Sequence, residues 1–366
     1  MPSLLSRMLL PVRTSPLPPP LDDTCQHASY TCLRGVGKRL GLLSWRPAPG
    51  RGSRGKQGHV DYLVLGDSYA DDIDMAFTCW PALLARARGG SCLNVARGGS
   101  RCADADAQLE RAASWMARTQ TRVSEDTVVV VHLGGNDMLH ALQLLGPVAL
   151  LLLWFDCLLL AAGRFGLRPR LQALPRCSFF GFLARRIAAG LTHLLAKLAA
   201  RGHAHVLVAN LPLCAAMPLP RRIIGLLTCA WAWRGGPQLV THILDDAVAL
   251  LDSQLRAALE AVCAKHGVCL SYLDEARLLV SAASRAHGGG EAAVSRVRIG
   301  DAVWKDAHHP RPWVHDELAA AAAALLERGG TPAPAAPTGA RGSAGTRQRA
   351  AGRQARSPAR GRESGR

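Results

Sequence analysis

The sequence is poor in aromatic residues, which make up 5% of it, so any core must be filled mainly by Leu, Ala and Val within a hydrophobic content of 49%. In 366 residues that content suffices for one large domain or two small ones. No C-x-x-C pair occurs among the eleven cysteines, whose odd number and scatter from Cys25 to Cys269 argue against a disulfide framework or a cysteine zinc site. They read as reduced thiols and small core residues. No repeat with a period of 20 to 50 residues is present, which excludes a solenoid. No acidic residue precedes Asp22, and the opening run MPSLLSRMLLPVRTSPLPPP is too broken for a secretory signal. It resembles an organelle transit peptide weakly and a disordered leader equally well, which leaves an organelle and the cytoplasm as the two locations to consider.

Basic residues are in excess, with a formal net charge of +17, and their placement decides what the excess means. Residues 1–58 hold nine Lys and Arg against Asp22 and Asp23, and residues 329–366 hold eight Arg against Glu363. Each end therefore carries seven of the net positive charges, and residues 59–328 keep only three. The organisation expected is a basic leader over 1–58, a folded domain over 59–328, and a disordered Arg/Ala/Gly/Pro-rich tail over 329–366. The tail reads as solvated chain with at most a weak attraction to anionic surfaces, and no specific nucleic-acid binding is expected.

From His59 onward short β-rich runs alternate with longer helical stretches, the pattern of a parallel sheet with crossover helices. Strands are predicted at Asp61–Leu65, Ser91–Ala96, Thr127–Leu133, His203–Leu211 and Gly267–Tyr272. Helices are predicted at Ala76–Arg88, Ala103–Thr119, Phe182–Arg201, Gln238–His266 and Val314–Arg328. The stretch Leu144–Ala162 is almost wholly apolar and near transmembrane length, but Gly146, Pro147 and Asp156 interrupt it. A helix packed on the domain or partly covering the site is the preferred reading, with a lipid-facing element as the alternative.

Four stretches carry chemistry: GDSYADD at 66–72, NVARGGS at 94–100, GGND at 134–137 and DAHHP at 306–310. The first three each follow a predicted strand, so they should emerge at one carboxyl edge of a parallel sheet. Singly, each is explained as a turn, a helix cap or a polar loop. Together they supply what acyl transfer needs. Ser68 is the candidate nucleophile at a helix N-terminus, and Asp306 and His309 stand three residues apart as orienting acid and base, with His308 competing for the base role. The backbone N–H groups of Ser68 and Gly99 and the side-chain amide of Asn136 are candidate donors to an oxyanion, each worth about 2.7–4 kcal/mol in the transition state. The run G-x-S-x-A at 66–70 also looks a little like an α/β-hydrolase nucleophile elbow. A serine after the first strand, with acid and base only three residues apart, opposes that reading.

These blocks resemble the signatures of the SGNH, or GDSL-type, esterases and lipases over about residues 59–328, with HVLVANLPLCAAMP at 205–218 also similar to the family. The family's four named residues fall on Ser68, Gly99, Asn136 and His309, with Asp306 completing the triad. Asp71 matches the first block, whereas Ile73 and Asp74 stand where Gly-Asn is usual, and D-x-x-H spacing selects His309 over His308. The resemblance implies a three-layer α/β/α, flavodoxin-like doubly wound domain with a five-stranded parallel sheet. It further implies a serine ester hydrolase that needs no metal or cofactor and acts on a small-molecule or lipid ester through an acyl-enzyme. An acyltransferase using the same triad and a non-catalytic binding module of the same shape are the alternatives. The family spans lipases, lysophospholipases, thioesterases and carbohydrate acetylesterases, so the fold does not choose the substrate. The apolar Leu144–Ala162 run favours an acyl chain or a lipid surface.

Overall fold

The computed structural model describes residues 58–329 apart from 167–171, 176, 230–235, 290–293 and 295, so the expected leader and tail lie outside the described residues. Five strands form one parallel sheet: β1 (Tyr62–Gly66), β2 (Cys92–Asn94), β3 (Val128–His132), β4 (His205–Ala209) and β5 (Cys269–Leu273). Their order is β2-β1-β3-β4-β5. This is the flavodoxin-like order expected, and it matters for chemistry because the chain reverses its winding direction beside β1. The carboxyl ends of β1 and β3, in register from Tyr62 opposite Val128 to Gly66 opposite His132, therefore border a crevice.

YLVLG and VVVVH are buried at every position because helices cover both faces of the sheet. On one face Tyr62, Val64, Val128 and Val130 pack with Trp80 and Leu84 of α2 (Trp80–Ala87) and Leu318 and Leu326 of α10 (Pro312–Arg328). On the rest of the framework, α3 (Ala105–Thr119) packs on β1, and α6 (Phe179–Ala200) packs along α8 (Gly236–His266).

Several element boundaries differ from the predicted ones for local reasons. The helix predicted over Ala76–Arg88 starts only at Trp80, as α2, because Ala76 takes a positive φ of 60° and Pro81 opens the helix, and a separate single turn, α1 (Asp72–Met75), precedes it. Helix α6 begins three residues early, where the Ser178 side chain accepts from Gly181 N. Besides α1, three longer helices were not predicted: α4 (Gly135–Leu145), α7 (Pro218–Leu227) and α9 (Glu275–Ala286).

The apolar stretch after the GGND block is not one helix. Gly146 at φ 52° and ψ −126° ends α4, and α5 (Pro147–Arg164) leaves at a bend of 115°. Ala149, Leu153, Cys157 and Leu160 of α5 face inward, and Asp156, also buried, accepts from Phe180 N at the start of α6. Val148, Leu151, Trp154, Phe155 and Leu158 are exposed on the same helix. The helix thus packs on the domain, as preferred, and still presents an uncharged apolar face. Among the described residues α6 alone is long and apolar enough to span a membrane as a single helix, and 50% of its apolar window is buried in the fold.

Candidate active site

The site begins where β1 stops. A Cβ on Gly66 would lie 2.7 Å from Ala70 Cβ and 3.2 Å from the His132 carbonyl, so only glycine lets the chain turn here. Buried Gln108 holds the same peptide from both sides, accepting from Gly66 N at 2.8 Å and donating to Gly66 O at 2.7 Å. Asp67 N then donates to His132 O at 3.0 Å, and the Asp67 carboxylate accepts from Tyr69 N at 3.1 Å. Ser68 sits in the turn this closes.

The loop of residues 301–311 brings the opposing groups. Asp301 accepts from Arg298 N, Val303 N and Trp304 N at 2.8–2.9 Å, and Lys305 N donates to His309 O at 2.9 Å across a narrow turn. Four donors, the fourth being His287, hold the Asp301 carboxyl below its usual range against the opposing effect of burial. At the tip, Asp306 accepts from His308 N at 2.9 Å and His309 N at 2.8 Å. Its other oxygen lies 2.8 Å from His309 Nδ1, and His309 Nε2 lies 2.8 Å from Ser68 Oγ. Burial pushes the Asp306 carboxyl up, but the His309 contact and charge outweigh it and hold the group well below the ordinary carboxylate range.

His308 occupies a different position. Its ring lies 4.0 Å from that of His309, tilted by 49°, and its Nδ1 stands 3.7 Å from Asp306, beyond hydrogen-bond reach. Burial and the neighbouring His309 push His308 down to about 4, so it is neutral at pH 7. The Tyr69 hydroxyl donates to the His308 carbonyl and ties the base loop to the turn that carries Ser68. The N and O donors of Asp306, His308 and His309 lie within 4.8 Å of one another, a spacing a divalent cation could bridge. Asp306 and His309 are already engaged with each other.

The other two blocks arrive from β2 and β3. Asp71 accepts from Gly98 N at 2.9 Å and clamps the ARGGS turn onto the first block, while Gly99 takes φ +81° with open space where a Cβ would be. Asn136, in the first turn of α4, donates through Nδ2 to Ser100 O at 3.1 Å, and a second, longer contact of 3.4 Å reaches Asp67 Oδ2. The longer contact is the weaker. Asp137 accepts from Cys102 N at 2.8 Å, a structural use of the last residue of GGND.

A cleft of about 520 Å³, open to solvent, is lined by Ser68, Asn136 and His308 together with Met138, Leu139, Leu213 and Met217. Ser68 and Asn136 share the cleft, and Gly99 is not among its lining residues. A second apolar hollow, also open to solvent, shares Met138, Leu139, Leu213 and Leu219 and continues to Leu153 and Phe180 beneath α5.

Sequence reasoning missed the groups below the nucleophile. His132, the last residue of β3, contacts Asp67 and Glu275, both buried. His315 of α10 accepts from Trp80 N at 3.2 Å, and burial pushes it down to about 3. A histidine closing a run of four valines just before GGND was the one available signal.

No protein-family model matches the chain, and none of the curated proteins is a significant match. Among solved structures, the chain is similar to an extracellular lipase from Streptomyces rimosus, with 16% identity, a TM-score of 0.39, and coverage of 74% of this chain and 99% of that one. It is also similar to a protein assigned to the G-D-S-L lipolytic family from Desulfitobacterium hafniense DCB-2, at 10% identity and a TM-score of 0.35. A third, described as an SGNH hydrolase, comes from Slackia heliotrinireducens, at 16% identity and a TM-score of 0.34. These last two likenesses each cover 73% of this chain and 99% of the other. All three are likenesses of fold.

Proposed function

We propose that the protein is a serine ester hydrolase. The observation that carries this is the unbroken line of contacts from Ser68 Oγ through His309 to Asp306, set at the mouth of an apolar cleft. Ser68 Oγ attacks the ester carbonyl as His309 Nε2 takes its proton, and Asp306 keeps the ring oriented and supports the imidazolium that forms. Asn136 Nδ2 and the Ser68 N–H stabilise the oxyanion, with Gly99 N–H as third donor from the same sheet edge. His309 returns the proton to the leaving alcohol. Water, activated by the same base, then releases the acid from Ser68.

The substrate that fits is an ester of an apolar acyl chain. Leu139, Leu213 and Met138 line both cavities, so a chain entering at Ser68 can continue toward α5. Assay of p-nitrophenyl esters from acetyl to palmitoyl should give kcat/KM rising with chain length to an optimum beyond butyryl, each buried methylene contributing up to about 0.8 kcal/mol. Leu139→Trp should shift the optimum to shorter chains. An acetyl optimum insensitive to Leu139→Trp would leave the cleft without a role in acyl selection.

A lipid ester presented by an anionic surface follows from the same arrangement. The uncharged outer face of α5 carries Trp154 and Phe155, the helix lies over the second cavity, and the chain as a whole has net charge +17. With vesicles containing anionic lipid, the double variant Leu151→Glu, Phe155→Glu should lose most of the binding that persists at high salt, because salt screens charge attraction but not apolar burial. Equal retention of both proteins would mean that α5 does not meet lipid.

A further inference from the structure

A neutral imidazole offers one donor and one acceptor. His132 faces a carboxylate with each ring nitrogen: Nδ1 lies 3.1 Å from Asp67 Oδ1, and Nε2 lies 2.6 Å from Glu275 Oε2. With both acids ionised, only the imidazolium can donate to both. The three side chains are closed to solvent, at 2%, 3% and 0% exposure for His132, Asp67 and Glu275. They join β3, the turn that carries Ser68 and the first residue of α9, with Glu275 lying 143 residues beyond His132 in the chain.

The surroundings hold the ring in place. Tyr69 stacks on it at 5.1 Å, and Trp80 meets it edge-on at 6.2 Å. Three titratable groups beside this cluster are neutral at pH 7: burial raises the phenol of Tyr69 well above its ordinary range, pushes the Cys214 thiol beside Glu275 up to about 12, and pushes His315 down to about 3. Asp306, held well below the ordinary carboxylate range, and the His309 ring, 5.6 Å from Tyr69, lie on the far side of Tyr69, and Asp245 acts on Cys214. Asp67 immediately precedes Ser68, and its second oxygen is the one 3.4 Å from Asn136 Nδ2. Left without a counter-charge, that carboxylate would oppose the negative charge that develops beside Ser68.

We infer that His132, clamped between Asp67 and Glu275, is a positioning residue of the Ser68 site: it fixes the Asp67 carboxylate, which immediately precedes Ser68 and lies 3.4 Å from the Asn136 amide, and its charge offsets that of Asp67 beside the nucleophile. Glu275 acts one step further out by keeping the ring protonated. This inference rests on Ser68 being the nucleophile, but the state of the ring can be read without catalysis. Burial disfavours the charged ring, yet Glu275 and Asp67 outweigh burial and push His132 up to about 10. A histidine raised in this way contributes stability in full below its unfolded value of about 6.5 and loses it as pH rises through about 10.

The test combines ring ¹⁵N NMR of the full chain with pH–rate profiles on a p-nitrophenyl ester. Wild type should show an imidazolium at pH 8 that His132→Gln lacks. Glu275→Gln should lower kcat about tenfold to a hundredfold with little change in KM, as expected for a misplaced donor, and should move the alkaline limb of kcat from near pH 10 toward neutrality. His132→Gln, which keeps a donor for Asp67 without the charge, should lower kcat and abolish that limb. A neutral His132 ring at pH 8 in the wild type overturns the inference even if neither variant folds. So does an imidazolium accompanied by unchanged kcat and unchanged alkaline limbs in both variants. Failure of Ser68 as nucleophile is read separately, by Ser68→Ala.

Discussion

Replacing Ser68 with alanine should lower kcat on p-nitrophenyl esters by roughly 10⁴- to 10⁶-fold and leave the fold intact. The size of the loss follows from the cleft lining among the described residues, where Ser68 alone is a hydroxyl within reach of His309: without Oγ, His309 can only activate water, and the proposed acyl-enzyme route is closed. The fold should survive because Ser68 is only partly buried and the turn around it is held by the Asp67 side chain, the Gly66 peptide and Gln108. Thermal unfolding of the variant checks this. A variant with wild-type turnover would show that the measured hydrolysis arises elsewhere.

His309→Ala should cost roughly 10³- to 10⁴-fold in kcat, whereas His308→Ala should cost far less and act mainly on KM. The distinction is geometric. His309 spans Ser68 and Asp306 with one nitrogen each, at 2.8 Å on both sides. His308 stands outside that line and lines the cleft, so its loss changes the wall that the substrate meets. Buffer imidazole should recover part of the activity of His309→Ala, since the cavity left by the ring admits a base of the same chemistry. The opposite ranking, with His308→Ala the inactive variant, would transfer the general base to His308 and leave the Ser68–His309 contact a structural one.

The sheet was legible because its strands are short apolar runs ended by turn residues, and Tyr62–Gly66 and Val128–His132 lie where the sequence places them to within two residues. Ser68, Asp306 and His309 were legible as residue types in an order, and the structure sets them in line. Helices α4 and α7 were not, since α4 starts inside the GGND block and α7 follows a proline-containing stretch whose turn chemistry masks the helical period, and α9 was not, since it follows β5 with only Asp274 between them. The break at Gly146 was marked by Gly146 and Pro147 as an interruption of the apolar run, but the size of the bend, set by the positive φ of Gly146, was not. The Asp67–His132–Glu275 line was illegible for a deeper reason. It joins single residues from three distant elements, and one sequence holds no trace of such pairing beyond a polar residue at the end of a buried strand.

The most direct measurement of the central claim is covalent trapping with an alkyl fluorophosphonate, followed by peptide mass mapping of the wild type and of Ser68→Ala. The account predicts a single adduct, on the peptide that contains Ser68, formed in the wild type and absent from the variant. An adduct on any other residue, or none on a folded protein that hydrolyses esters, would contradict it.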